Sequence, residues 1–190
     1  MKVVVGLRNP GSDYELTRHN VGHEVLMSVA REHGSRMGKG PRRSRCECCE
    51  VTIGDQRVLL AAPLTFMNDS GGPVRAVVDY FSAGLDELLV LHDDIDLPFG
   101  RLRLQRGGGT GGHNGLRSIE RSMGTRDFHR LKIGVGRPPG RMDPSDFVLR
   151  RFTKAERTEM DLVVGDANGV VEAWVSDVET ATRLAGERRL

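Results

Sequence analysis

The sequence predicts an α/β fold in one domain, residues 1–190, with a twisted mixed β-sheet flanked by α-helices. Three observations predict it. Short apolar runs typical of buried strands occur at Val3-Val4-Val5 and at Leu88 to Leu91. Apolar residues at helical spacing lie between them, as at Val21, Val25, Leu26, Val29 and Ala30. Strands alternating with helices imply packed layers. Arg101 to Leu104, alternating polar and apolar, adds a strand with one wet face.

The elements follow in order. The first strand ends in the turn-rich Arg8-Asn9-Pro10-Gly11, and a helix is expected from Asn20 to about His33. Residues 35–45 are glycine-rich and basic, with Arg36, Lys39, Arg42, Arg43 and Arg45 and no acid, and read as a loop. Glu50 to Ile53 and Arg57 to Ala62 make a hairpin around Gly54-Asp55. A helix from Ser70 to Phe81 precedes the strand Leu88 to Leu91. After the glycine tract 107–112, a helix is expected from about Asn114 to Met123 and a strand over Leu131 to Val135. Asp143 to Leu190 reads as mostly helical, with Trp174 packing the last helices onto the body. Neither an internal repeat nor a linker-like stretch interrupts the chain.

Composition excludes several classes. With 38% hydrophobic and 28% charged residues the chain is globular rather than disordered. It contains no apolar run long enough to span a bilayer, and Met1-Lys2 followed by Val3-Val4-Val5-Gly6 lacks the form of a secretory signal. A cytoplasmic protein is expected. Cys46, Cys48 and Cys49 form C-E-C-C, an odd number at a spacing unsuited to structural zinc, and are expected as free thiols. Residues 101–151 hold twelve Arg or Lys against four acids, so the rest of the +2 chain carries −6. That polarity fits a basic face turned to an anionic polymer, or merely a solvated arginine-rich surface.

In α/β sheets, ligands gather beyond the carboxyl ends of the strands. Four segments bring polar residues there: Asn9 with Thr17-Arg18-His19-Asn20, Thr65-Phe66-Met67-Asn68, His92-Asp93-Asp94-Ile95-Asp96, and His113-Asn114 after the glycines. Singly, each has a structural explanation, since Asn9 suits a turn and Asn20 and Asn114 suit helix N-caps. Capping does not explain why Asn, His and Asp converge on one sheet edge. The glycine tract lacks G-K-[ST] and is no P-loop, and Ser12 and Ser70 lack a G-x-S-x-G elbow. A metal site built on His92 and the neighbouring acids would rest on adjacent residues alone. His113 suits either support of the site or packing, and His23 and His33 read as incidental helix residues.

Gly6-Leu7-Arg8-Asn9-Pro10-Gly11, Tyr14, Thr17-Arg18-His19-Asn20 and Gly22 resemble the opening signature of bacterial peptidyl-tRNA hydrolases. Phe66 to Gly71, His92 to Pro98, and GGGTGGHNGL at Gly107 to Leu116 resemble three further motifs of that family, in order. Phe128 to Gly134 and Arg137-Pro138-Pro139-Gly140 continue the likeness, which weakens after Phe152 and is loose at Thr180 to Leu184. The resemblance implies a metal-free, cofactor-free esterase that acts on peptidyl-tRNA as a monomer, without an obligate protein partner or a membrane. It makes His19 the catalytic histidine and Asp93 the acid that orients it. It gives Asn9, Asn68 and Asn114, with Tyr14 and Met67, to the peptide end and the water. Its phosphate clamp falls on Lys132 and on Gln105, where a lysine is common, which leaves Arg103 or Arg106 as substitutes. Arg8, where a small residue is usual, would place a bulky cation at the site entrance.

The residues suit that chemistry on their own terms. Hydrolysing an ester requires a base for water and donors for a carbonyl oxygen becoming negative. Neutral histidine serves the first need near pH 7, a carboxylate fixes its tautomer, and asparagine donates without adding charge. Two other readings remain at this point. One is a non-catalytic RNA-binding module of the same fold, as in plant organelle splicing factors that resemble these hydrolases. The other is a general small-ester hydrolase with no use for the basic surface.

Overall fold

A computed structural model describes residues 1–188. Its centre is β1 (Lys2–Gly6), paired in parallel with β4 (Gln56–Pro63) on one side and β5 (Leu88–Asp94) on the other. Beyond β4 lie β3 (Cys46–Ile53) and the two-residue β2 (Gly38–Lys39), both antiparallel. Beyond β5 come β7 (His129–Gly134), parallel, and β6 (Leu102–Arg106), antiparallel. The seven-stranded order is β2-β3-β4-β1-β5-β7-β6. The sheet is therefore mixed, with a parallel middle and antiparallel edges.

Strand alternation decides which side chain meets which layer. Val4, Leu60, Leu89, Leu91, Leu131 and Ile133 join a core with α1 (Val21–Glu32) and α5 (Lys154–Ser176). Val3, Val5, Leu59, Leu88 and Val90 point the other way, into a core with α2 (Gly71–Tyr80) and α3 (Asn114–Met123). Burial on both faces is why the central runs read as unbroken apolar strings. Trp174, fully buried on α5, packs in the first core as expected. The last quarter of the chain is mostly helical, through α4 (Pro144–Val148), α5 and α6 (Val178–Glu187). No helix among the described residues is long and apolar enough to cross a membrane.

The structure differs from the sequence reading in three places that bear on the site. The basic stretch 35–45 is not all loop, because Gly38 and Lys39 pair with Cys48 and Glu47. β5 runs on through His92 and Asp93, which lie in register with Lys132 and Ile133 of β7. Those two residues thus stand on the strand itself, and a ladder hides the expected loop. Third, α3 is capped by His113 and not by Asn114, which is the first residue of the helix. Asn20 does occupy the N-cap of α1, but its side chain makes no capping bond.

One close approach places the turn that bears His19. A Cβ on Gly22 would stand 2.1 Å from the carbonyl oxygen of Leu91. Only glycine lets the first turn of α1 rest directly on the end of β5, and so brings the residues before it against Asp93.

Candidate active site

A cavity of about 680 Å³ opens at the carboxyl edge of the sheet, lined by Asn9, His19, Met67, Asn68, Asp93, His113 and Asn114 among others. The four expected segments meet there, and Pro144, Ser145, Val148 and Leu149 add a further wall.

His19 sits in the 3-10 turn Arg18–Asn20 ahead of α1 and is buried. Its Nδ1 lies 2.8 Å from Oδ1 of Asp93. A second imidazole shares that oxygen, with Nε2 of His113 at 2.9 Å. Nδ1 of His113 accepts the N–H groups of Gly115 and Leu116 at 3.1 and 3.3 Å, so it carries no proton and Nε2–H is the donor to Asp93. Asp93 is an ionised acceptor, so Nδ1 of His19 also donates, leaving Nε2 of His19 as the basic nitrogen. His92 donates from Nδ1 to the carbonyl oxygen of Asp93 at 2.7 Å and stacks edge-on to His113.

Electrostatics follow from this sharing. Burial works against the charged form of His19, but the charge of Asp93 and the bond to it outweigh burial and raise the pKa above the usual imidazole value. Burial would likewise raise the Asp93 carboxyl, yet His19 and His113 together hold it far below the carboxylate range. For His113 burial prevails over Asp93, and the pKa is lowered. His92, fully enclosed and beside His113, is pushed down to about 3. The pocket thus raises the pKa of one imidazole and lowers those of two. Donor atoms of His19, Asp93 and His113 lie within 4.8 Å of one another. The two histidine-to-carboxylate spacings, 2.8 and 2.9 Å, are those of hydrogen bonds.

Asn9 is held by its neighbours. Its Oδ1 accepts the N–H of Met67 at 2.8 Å, and its backbone exchanges two bonds with the side chain of Asn20, at 2.8 and 2.9 Å. With its oxygen occupied, the NH2 is the end left for the cavity. Asn68, in the short turn Met67–Asp69, and Asn114, opening α3, are exposed on the cavity wall. Met67 is buried, and a Cβ on Gly115 would come within 2.7 Å of its sulfur, so α3 and this turn touch directly beneath the cavity.

The other expected residues lie elsewhere. Tyr14 is absent from the cavity wall and reaches it only through an edge-on contact with Phe66, centroids 6.0 Å apart. Arg8 does not block the entrance, because its guanidinium turns outward to the carbonyl of Pro63 and to Glu47. Lys132 pairs with Asp94 at 3.2 Å and Arg106 with Asp127 at 2.8 Å. Arg103 is exposed opposite Lys132 in the ladder, while Gln105 bonds the carbonyl of Gly107. None of these four lines the cavity.

Sequence reasoning left His113 undecided and overlooked Arg18. Arg18 is buried, bonded to the carbonyls of Arg150 and Arg151 and to Glu156, with its guanidinium 4.2 Å from the ring centre of Phe147. It ties the cavity wall at Val148 and Leu149 to the turn that bears His19. The usable signal for His113 was its place between the last glycine and the first helical residue, where a side-chain acceptor is favoured.

Known proteins share this arrangement's frame. A family profile described as peptidyl-tRNA hydrolase matches residues 3–189. A peptidyl-tRNA hydrolase of Frankia casuarinae is 49% identical over 175 residues, covering 92% of this chain and 88% of its own. One from Kineococcus radiotolerans is 49% identical over 181 residues, covering 91% and 90%. A crystal structure of peptidyl-tRNA hydrolase from Acinetobacter baumannii superposes with a TM-score of 0.93 at 33% identity, covering 100% of this chain and 96% of that one. By profile, by sequence and by fold, the chain belongs to the peptidyl-tRNA hydrolase family.

Proposed function

We propose that this chain hydrolyses the ester joining a peptide, or another N-blocked aminoacyl group, to tRNA, releasing free tRNA and peptide. The observation that carries the reading is the bond from His19 Nδ1 to Asp93, which leaves Nε2 basic in a cavity framed by three asparagine amides. His19 takes a proton from water as the water attacks the ester carbonyl. Asp93 steadies the imidazolium that results, and His113 holds Asp93 in place. Asn9, whose NH2 is fixed by Met67, donates to the oxygen that gains charge or to the water, with Asn114 beside it. Asn68 grips the peptide backbone, and Met67 lines that end of the site, with Tyr14 behind Phe66. The proton on His19 then leaves with the ribose oxygen. No group other than these side chains and water is needed for the atoms to balance. The enzyme works as a monomer in the cytoplasm, with Lys132 and Arg103 near the RNA.

Release of N-acetyl-aminoacyl groups from tRNA tests the reading. His19→Ala should lose about two to four orders of magnitude in turnover while still binding tRNA. Binding of tRNA with no release by the unmodified chain would instead support the non-catalytic RNA-binding alternative.

A further inference from the structure

The basic stretch between α1 and β3 takes no part in the hydrolytic site. Arg36, Lys39, Arg42, Arg43 and Arg45 are all exposed, and among the described residues none has an ion-pair partner for its side chain. On the β6–β7 flank, by contrast, Arg106, Arg126, Lys132 and Arg137 are paired with Asp127, Glu120, Asp94 and Asp96, while Arg101 and Arg103 at β6 have no ion-pair partner among the described residues. A cation without a carboxylate keeps its full field for an outside anion, whereas a paired one must first exchange partners.

The backbone that carries these cations from Lys39 onward is fixed. Gly40 donates to the carbonyl of Cys46 and Ser44 to that of Pro41, both at 3.0 Å, closing the β2–β3 hairpin. Arg43 and Arg45 have φ of 69° and 54°, in the left-handed region that asparagine and glycine tolerate better. Stability alone would favour other residues at these two exposed positions.

The hairpin tip lies on the sheet edge that carries the site. Cys46 pairs with Pro63 at the carboxyl end of β4, and Leu64 donates to the carbonyl of Arg45 at 2.8 Å. Leu64 leads directly to the Phe66-Met67-Asn68 wall of the cavity. Five strand spacings, roughly 24 Å, separate β3 from β6 at the far flank.

We infer that Lys39, Arg42, Arg43 and Arg45 at the hairpin tip bind phosphates of the substrate tRNA away from its esterified end, extending the RNA footprint across the whole sheet edge. This rests on the reading of the chain as a tRNA-ester hydrolase. The polyanion is covalently joined to the ester being cut and so arrives at this edge with it. Phosphate contacts hold RNA without reading its sequence.

The test compares the unmodified enzyme with Lys39→Gln/Arg42→Gln/Arg43→Asn/Arg45→Asn. Two substrates are used: N-acetyl-aminoacyl-tRNA and the same ester on a 3′-terminal trinucleotide. Binding of deacylated tRNA is titrated in parallel across salt concentrations. The variant should fold as well as its parent and keep its kcat/KM on the trinucleotide ester. On full-length substrate at low salt kcat/KM should drop about tenfold or more, and the salt slope of tRNA binding should flatten by about 0.7–0.9 per lost phosphate contact. Unchanged binding and slope would overturn the inference. So would an equal loss on both substrates, or a hairpin-dependent affinity for anionic lipid vesicles with none for tRNA. A parent that binds tRNA through the hairpin yet cleaves neither ester would sink the hydrolase reading and leave the hairpin contact standing.

Discussion

The side-chain oxygen of Asn9 accepts the backbone N–H of Met67 at 2.8 Å, which turns the Asn9 amide nitrogen to the cavity. An asparagine whose oxygen is occupied is a fixed donor, and a fixed donor suits an oxygen that becomes negative only during reaction. Asn9→Asp keeps the shape and the bond to Met67 but replaces that donor with a negative oxygen. We expect kcat to fall about 10²–10³-fold, with the thermal midpoint changed little.

The shared carboxylate makes a pH prediction. His19 must be neutral to take a proton, and its pKa stands above the ordinary imidazole value because Asp93 outweighs burial. The acid limb of kcat/KM should therefore fall above pH 6.5. Asp93→Asn removes the opposing charge and leaves burial to act alone. Its limb should move to lower pH while the maximal rate drops. A limb that stays in place in the variant would show that another group titrates.

His113 has two duties, and substitution separates them. His113→Asn can still cap α3 through its side-chain oxygen, whereas His113→Ala cannot, at about 1 kcal/mol. Both lose the bond to Asp93. Chemical denaturation should rank Asn above Ala in stability, while steady-state assays should find both impaired in kcat.

The enclosed His92 links stability to acid. Its pKa of about 3 in the folded chain lies below the ordinary 6.5, so between those values the unfolded chain binds the proton and the folded chain does not. Stability should rise with pH through that window, by at most about 1.4 kcal/mol per unit from this group. His92→Gln should flatten the slope measured by urea unfolding between pH 4 and 6.

Arg18 and Gly22 fix the turn between them. Arg18→Met removes a guanidinium that donates to Glu156 and to the carbonyls of Arg150 and Arg151, and we expect a loss of about 1.5–3 kcal/mol. Arg18→Lys should recover little of it, since an ammonium does not span the same fork of acceptors. Gly22→Ala would drive a Cβ into the Leu91 carbonyl, costing about 1–3 kcal/mol and displacing His19, so activity and thermal midpoint should fall together.

The sequence by itself determined the layers and the cast of the site. Apolar runs buried on both faces marked β1 and β5, helical spacing marked α1, and turn chemistry marked the hairpin at Gly54-Asp55. The motifs named His19, Asp93 and the three asparagines, because a polar residue at a strand end is a local signal. Only the tertiary structure decided what those residues touch. That His113 shares the oxygen of Asp93, that Asn20 clasps the Asn9 backbone, and that Arg8 turns outward to Glu47 depend on residues 11 to 39 positions apart. So does the pairing of Lys132 and Arg106 while, among the described residues, the 35–45 cations have no ion-pair partner. Periodicity is written into neighbouring residues, whereas a hydrogen-bond partner is chosen by how strands order themselves in the sheet, and that order is set by packing of the whole chain.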